Sequence, residues 1–194
     1  MRAYVLILIL IFSFQSWTNA DDIRDFEIEG ISIGDSALDF FSKKQLDETA
    51  YAYSKNDKYL TSYFFNVKFE VYDAVELTYL KKDKNYKIEG LSGGVVVKNI
   101  NECKKLNNDM AKSLATFFSD AQSLKDEGST PVDDTGKSKY FRTSFKINPK
   151  SDYFEIESSC IFYYGKAANK YTSNAGVTIK TDELNHWLNN EAYK

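Results

Sequence analysis

Gly30-Ile31-Ser32-Ile33-Gly34 spells G-x-S-x-G, the spacing with which a nucleophile elbow lifts a serine hydroxyl out of a strand-to-helix turn. His186 is the only histidine, so serine chemistry would pair Ser32 as nucleophile with His186 as base. Position argues against it, because an elbow needs a parallel sheet laid down before it and Ser32 comes early in the chain. A second copy, Gly90-Leu91-Ser92-Gly93-Gly94, runs into valines rather than a helix. Two copies in strand-like surroundings point to glycines shaping a bulge or a tight turn. A small serine hydrolase using Ser32 and His186 is thus the alternative reading, and no residue is assigned as catalytic.

A lone histidine rules out multi-histidine metal centres, and Cys103 and Cys160 lack the paired spacing of a zinc site. Acidic residues gather at Asp25, Glu27 and Glu29 and again at Asp126, Glu127, Asp133 and Asp134, without the twelve-residue pattern of a calcium loop. They read as solvated edges, and no metal or cofactor is expected. The two cysteines read as one disulfide: Cys103 falls on a helical apolar stripe, and Cys160 falls on the inward set of a strand with Phe154, Ile156, Phe162 and Tyr164.

Aromatic residues make up 15% of the chain, and they carry the binding expectation. Tyr51, Tyr53, Tyr59 and Tyr63, or Tyr153 and Tyr163 on the outward face of their strand, would stack on a ligand or line an apolar groove.

The elements that must position these residues centre on 86–125. A strand through Gly90 into Val95, Val96 and Val97 leads to Asn99, and then Ile100, Cys103, Leu106, Met110, Leu114, Phe117, Ala121 and Leu124 recur at helical spacing. One long helix from Asn99 to Lys125 is expected to lie on a sheet. Ser42 with Gln45 forms a capping box before Lys43, and Thr181 caps a terminal helix carrying Leu184, Trp187 and Leu188. Val75, Leu77 and Tyr79 form a strand of a hairpin with Tyr86 onward, and 126–138 is expected to be a mobile loop. An aromatic-Glu/Lys-Ile-Glu order recurs at Phe26, Tyr86 and Phe154, which suggests a duplicated layout. The class expected is α+β: a mainly antiparallel, twisted sheet of five or six strands, with the long helix and the C-terminal helix packed on one face.

Residues 1–20 form a signal peptide by pattern, with Arg2, the apolar run Val5 to Phe14, and small residues at Thr18-Asn19-Ala20. The run is too short to span a bilayer, so no stable membrane anchor is expected after cleavage. Residues 21–194 are long enough for a single domain with its own core. The formal net charge of -3 is evenly scattered and offers nucleic acid no basic face. The reading is a periplasmic or secreted, non-enzymatic accessory or binding protein. Its partner would be an unknown ligand or an envelope protein, the latter making it an envelope-assembly interaction protein.

The run I-E-G-I-S-I-G-D-S-A-L-D-F-F at 28–41 resembles the opening of a group of uncharacterised secreted bacterial proteins, which implies export. The glycine-then-capped-helix entry is similar to that of the small outer-membrane assembly lipoproteins of the BamE type. This chain departs from that type in its length and in lacking the lipidated cysteine, so no functional residue carries over.

Overall fold

The computed structural model describes residues 22–52, 54–65 and 67–194; the leader 1–20 and Tyr53 lie outside the described residues. The chain opens with β1 (Glu27–Ile28) and β2 (Ile31–Ser32), a minimal hairpin whose two-residue turn has Glu29 at φ 56° and Gly30 at φ 73°. Two consecutive left-handed residues match the twist that joins tight antiparallel strands. The G-x-S-x-G residues are therefore the end of the hairpin turn at Gly30, strand β2 at Ile31–Ser32 and a second turn at Ile33 and Gly34, so Ser32 lies in a strand paired to β1.

Glu29 occupies its left-handed position while its carboxylate accepts hydrogen bonds from the backbone N–H groups of Glu70, Val71 and Tyr72 at 2.8, 2.7 and 2.9 Å. The acidic run thus contributes an anchor between the hairpin and the segment ahead of β5. Glu29→Ala strands three donors, and hydrogen bonds to a charged acceptor at a half-exposed site suggest a loss of about 1–2 kcal/mol. Thermal unfolding of the variant would show a shift of several degrees; an unchanged midpoint would remove the anchor from the account.

After the hairpin come α1 (Lys43–Thr49), β3 (Ala50–Tyr51), β4 (Tyr59–Phe64), β5 (Ala74–Leu80) and β6 (Ile88–Val96). The second half repeats the layout with α2 (Ile100–Phe117), β7 (Gln122–Ser129), β8 (Lys139–Lys146), β9 (Ile156–Phe162) and β10 (Asn174–Lys180). A single turn, α3 (Gly165–Ala168), lies between β9 and β10, and α4 (Asp182–Asn190) ends the chain. All eight principal strands join one antiparallel sheet in the order β3-β4-β5-β6-β10-β9-β8-β7. Each half is a helix followed by four strands, and the halves meet where β6 pairs with β10. The duplicated layout is present, but the repeated sequence pattern does not mark it: its copies fall on β1, β6 and β9, which are not equivalent places.

The capping boxes form as their residues require. Ser42 and Gln45 satisfy each other's backbone groups at α1, and Asn99 accepts from the Glu102 N–H while Glu102 accepts from that of Lys98 at α2. The α2 face buried against β8, β9 and β10 carries Cys103, Asn107, Ala111 and Leu114, with Phe118 just beyond. Asn107 sits in the middle of that stripe because both ends of its amide are paired: Nδ2 donates to the Phe141 carbonyl at 3.2 Å, and Oδ1 accepts from Ser158 Oγ at 2.5 Å. Near the start of α2, Cys103 is bonded to Cys160 of β9, as expected.

Three expectations are corrected. The sheet has eight strands among the described residues, not five or six, because the segment after α2 adds β7 and Ala50–Tyr51 adds β3. The long helix ends at Phe117, and residues 122–129, which include Leu124, Lys125 and part of the expected loop, form β7. The terminal helix does not share a face with α2. Leu184 lies over Thr78 and Gly90, close enough that a Cβ on Gly90 would stand 2.6 Å from it, and Trp187 packs on Tyr59. Those residues alternate with Val75, Leu77, Tyr79 and Leu91, which face the α2 side. None of the described helices is long and apolar enough to cross a membrane.

Candidate binding surface

The sheet has two unlike faces, set by period-two alternation along each strand. One is closed by α1, α2 and the N-terminal hairpin, and buries Phe64, Val75, Leu77, Leu91, Val177 and Phe145 in a single core. The other carries α4 at one end only. Beyond it, register places Tyr63, Glu76, Ser92, Thr178, Glu157, Ser144 and Leu124 in one row from β4 to β7. The next row runs Ala74, Gly94, Gly176, Ser159, Arg142 and Asp126, and a third runs Val96, Asn174, Ile161, Tyr140 and Gly128.

The middle of this face is built from the smallest side chains. Ser92 Oγ donates to Thr178 Oγ1 at 3.0 Å, while Gly94 and Gly176 present bare backbone. A Cβ on Gly176 would fall 2.3 Å from the Gly93 carbonyl oxygen, so the close approach of β6 and β10 requires glycine there. Larger groups stand to either side. Tyr63 and Phe65 stack with ring centres 6.3 Å apart and are 39% and 50% exposed, while Val96, 41% exposed, closes the end of β6. On the far side the Arg142 guanidinium lies 5.1 Å from the Tyr140 ring centre, and its Nε is 3.2 Å from Glu157 Oε2.

The charges on that side are tightly placed. Burial raises the Glu157 carboxyl above the usual range, with Arg142 and Lys180 pulling it back. Burial likewise lowers the Lys180 ammonium, opposed by Glu157. Tyr63 on β4 and Arg142 on β8 stand five strand spacings apart, about 24 Å. The result is a broad, shallow trough with aromatic rims.

The expected tyrosines do not converge on it. Tyr63 is on the trough. Tyr51, 39% exposed, is on the same face at the edge strand. Tyr59 is packed beneath Trp187 and only 2% exposed, and burial, followed by nearby Glu89, Glu183 and Glu191, pushes its phenol up to about 12. Tyr153 lies before β9, with its hydroxyl 2.9 Å from His186 Nδ1 and accepting from Asn190. Tyr163 is half-buried against Tyr171, whose ring centre is 5.2 Å away. Phe65, Val96, Tyr140, Ile161 and Arg142 were missed. The available signal was the run Gly90, Ser92, Gly94 at alternate positions of β6, which marks an outward face with little on it.

Two of the clefts among the described residues lie elsewhere. The larger, about 850 Å³, is bordered by Arg24, Ser32, Asp35, Lys87, Glu155 and Asp182 among others. Ser32 donates its backbone N–H to Asp35, and His186 is not among the residues of this cleft. Glu155, 2% exposed, accepts the N–H groups of Ile147 and Asn148. The smaller cleft, about 370 Å³, lies between α2 and the β7-β8 pair. Among the described residues, no group of three or more His, Cys, Asp or Glu side chains could hold a metal ion. No family model, curated protein or solved structure matches the chain.

Proposed function

We propose that this is an exported, non-enzymatic binding protein that engages another protein across the open half of its sheet. The observation that carries the reading is the trough: a floor of serine, threonine and glycine between exposed Tyr63 and Phe65 on one side and the Tyr140-Arg142 pair on the other, with exposed Val96 at the end of β6. A surface about 24 Å wide with no enclosing walls suits a protein partner better than a small molecule, which needs to be surrounded. Exposed aromatics and an arginine are the side chains that dominate such contacts. Export is supported by the leader pattern and by the Cys103–Cys160 disulfide, a bond favoured in oxidising compartments. A protein of the cell envelope is the partner class that fits this location.

A photo-crosslinking amino acid placed at Tyr63 and at Val96 tests this in the native host. Adducts of one defined mass are expected at both positions and not at Lys112, on the exposed side of α2. Labelling that is absent everywhere, or equal at Lys112, would end the proposal.

A further inference from the structure

The sheet ends on one side in β7, an eight-residue strand that among the described residues pairs only with β8 and whose residues are exposed except for half-buried Gly128. Its outer backbone groups form a template for another strand. We propose that the occupant is a second copy of this chain, with β7 pairing antiparallel to β7 about a two-fold axis at Asp126, so that one sheet runs through both copies.

The side chains select that register. A two-fold axis perpendicular to the sheet keeps each face continuous, so residues on opposite sides of the axis must share a face. Centred on Asp126, the pairing sets Lys125 opposite the Glu127 of the second copy, twice, on the α2 face. On the trough face it sets Leu124, 54% exposed, opposite Gly128. The space above Gly128 is already filled by the Tyr140 ring, whose atoms lie 2.9–3.0 Å from where a Cβ would be. Leu124 would thus close against an aromatic ring instead of bare backbone. The two Asp126 carboxylates meet at the axis, but each stands across from Arg142 on β8. Shifting the axis to Lys125 would oppose lysine to lysine and Leu124 to Asp126, losing both complements.

Asp126→Cys in the processed chain tests the register directly. Residues opposite each other across antiparallel strands have Cα atoms about 4.5–5.5 Å apart, within disulfide reach. Two thiols at 126 should therefore link the copies on mild oxidation, seen as a dimer on a non-reducing gel with the native disulfide intact. The same substitution at Leu124 should not, because its mate would be about 13 Å away along the strand. Sedimentation then reads the charges: Lys125→Glu or Glu127→Lys alone should weaken dimerisation by about tenfold or more, and the double reversal should restore it. A monomer at all concentrations, linkage at 124 as efficient as at 126, or charge reversals without effect would overturn the proposal. None of these results bears on the trough, whose test reads different positions.

Discussion

Replacing Cys103 and Cys160 together with alanine is expected to cost about 4 kcal/mol of folding stability, the value for cross-linking positions 57 residues apart on the chain-entropy account. Both residues are fully buried, among Val97, Ala175, Leu106, Phe141 and Phe162. The bond joins the first turn of α2 to the third strand of the second meander, two elements otherwise brought together only by folding. Without it the unfolded chain regains the freedom that the loop withheld, while the native packing loses little more than two sulfur atoms. Urea denaturation is the measurement, and the midpoint should fall sharply. A domain of this size has a total stability of about 5–15 kcal/mol, so the loss is a large share of what holds it folded. A fall under about 1 kcal/mol would mean that the bond constrains chain ends already held close in the unfolded state.

The pairing of those cysteines was legible because two independent periodicities, one helical and one alternating, each turned a thiol inward. The start of α2 was legible for a similar reason: Asn99 is a local cap that needs no tertiary partner, and Glu102 completes it in the structure. Its end was not. β7 reads Gln-Ser-Leu-Lys-Asp-Glu-Gly-Ser, and an edge strand that buries neither face has no reason to alternate, so Ala121 and Leu124 fit the helical spacing by accident. The side of the sheet taken by α4 was hidden for another reason. An amphipathic pattern says which side of a helix is apolar, but not which side of a two-faced sheet receives it. The hint lay in Tyr59 and Leu80, apolar groups on the outward alternation of β4 and β5 that need a cover. The trough could be read only through Tyr63, because its floor is made of residues whose meaning is the absence of a side chain.

Trp187→Ala should have the other large effect, about 3–5 kcal/mol, as expected when a fully buried aromatic is cut back to a methyl group. Trp187 is the centre of the small core beneath α4, with its ring 5.0 Å from that of Tyr59 and with Leu184, Ala192, Leu80 and Leu188 around it. This cluster is separate from the main core on the opposite face, so the loss should release α4 before it unfolds the sheet. Tyr59 provides the readout. In the folded chain burial keeps its phenol protonated up to about 12, against about 10 for a free tyrosine. Between those values the folded state holds a proton that the unfolded state has given up, so stability falls as pH rises through that window. Once α4 is released, Tyr59 should ionise near the ordinary value, and the alkaline loss of stability should shrink with it. Ultraviolet titration of the tyrosinates in the parent and in Trp187→Ala makes the comparison. Trp187→Phe, which keeps most of the ring volume and removes an indole N–H that has no hydrogen-bond partner among the described residues, should leave both the titration and most of the stability in place. If the alanine variant ionises Tyr59 like the parent while still losing stability, the cover over that phenol comes from the strands themselves, and α4 only borders it.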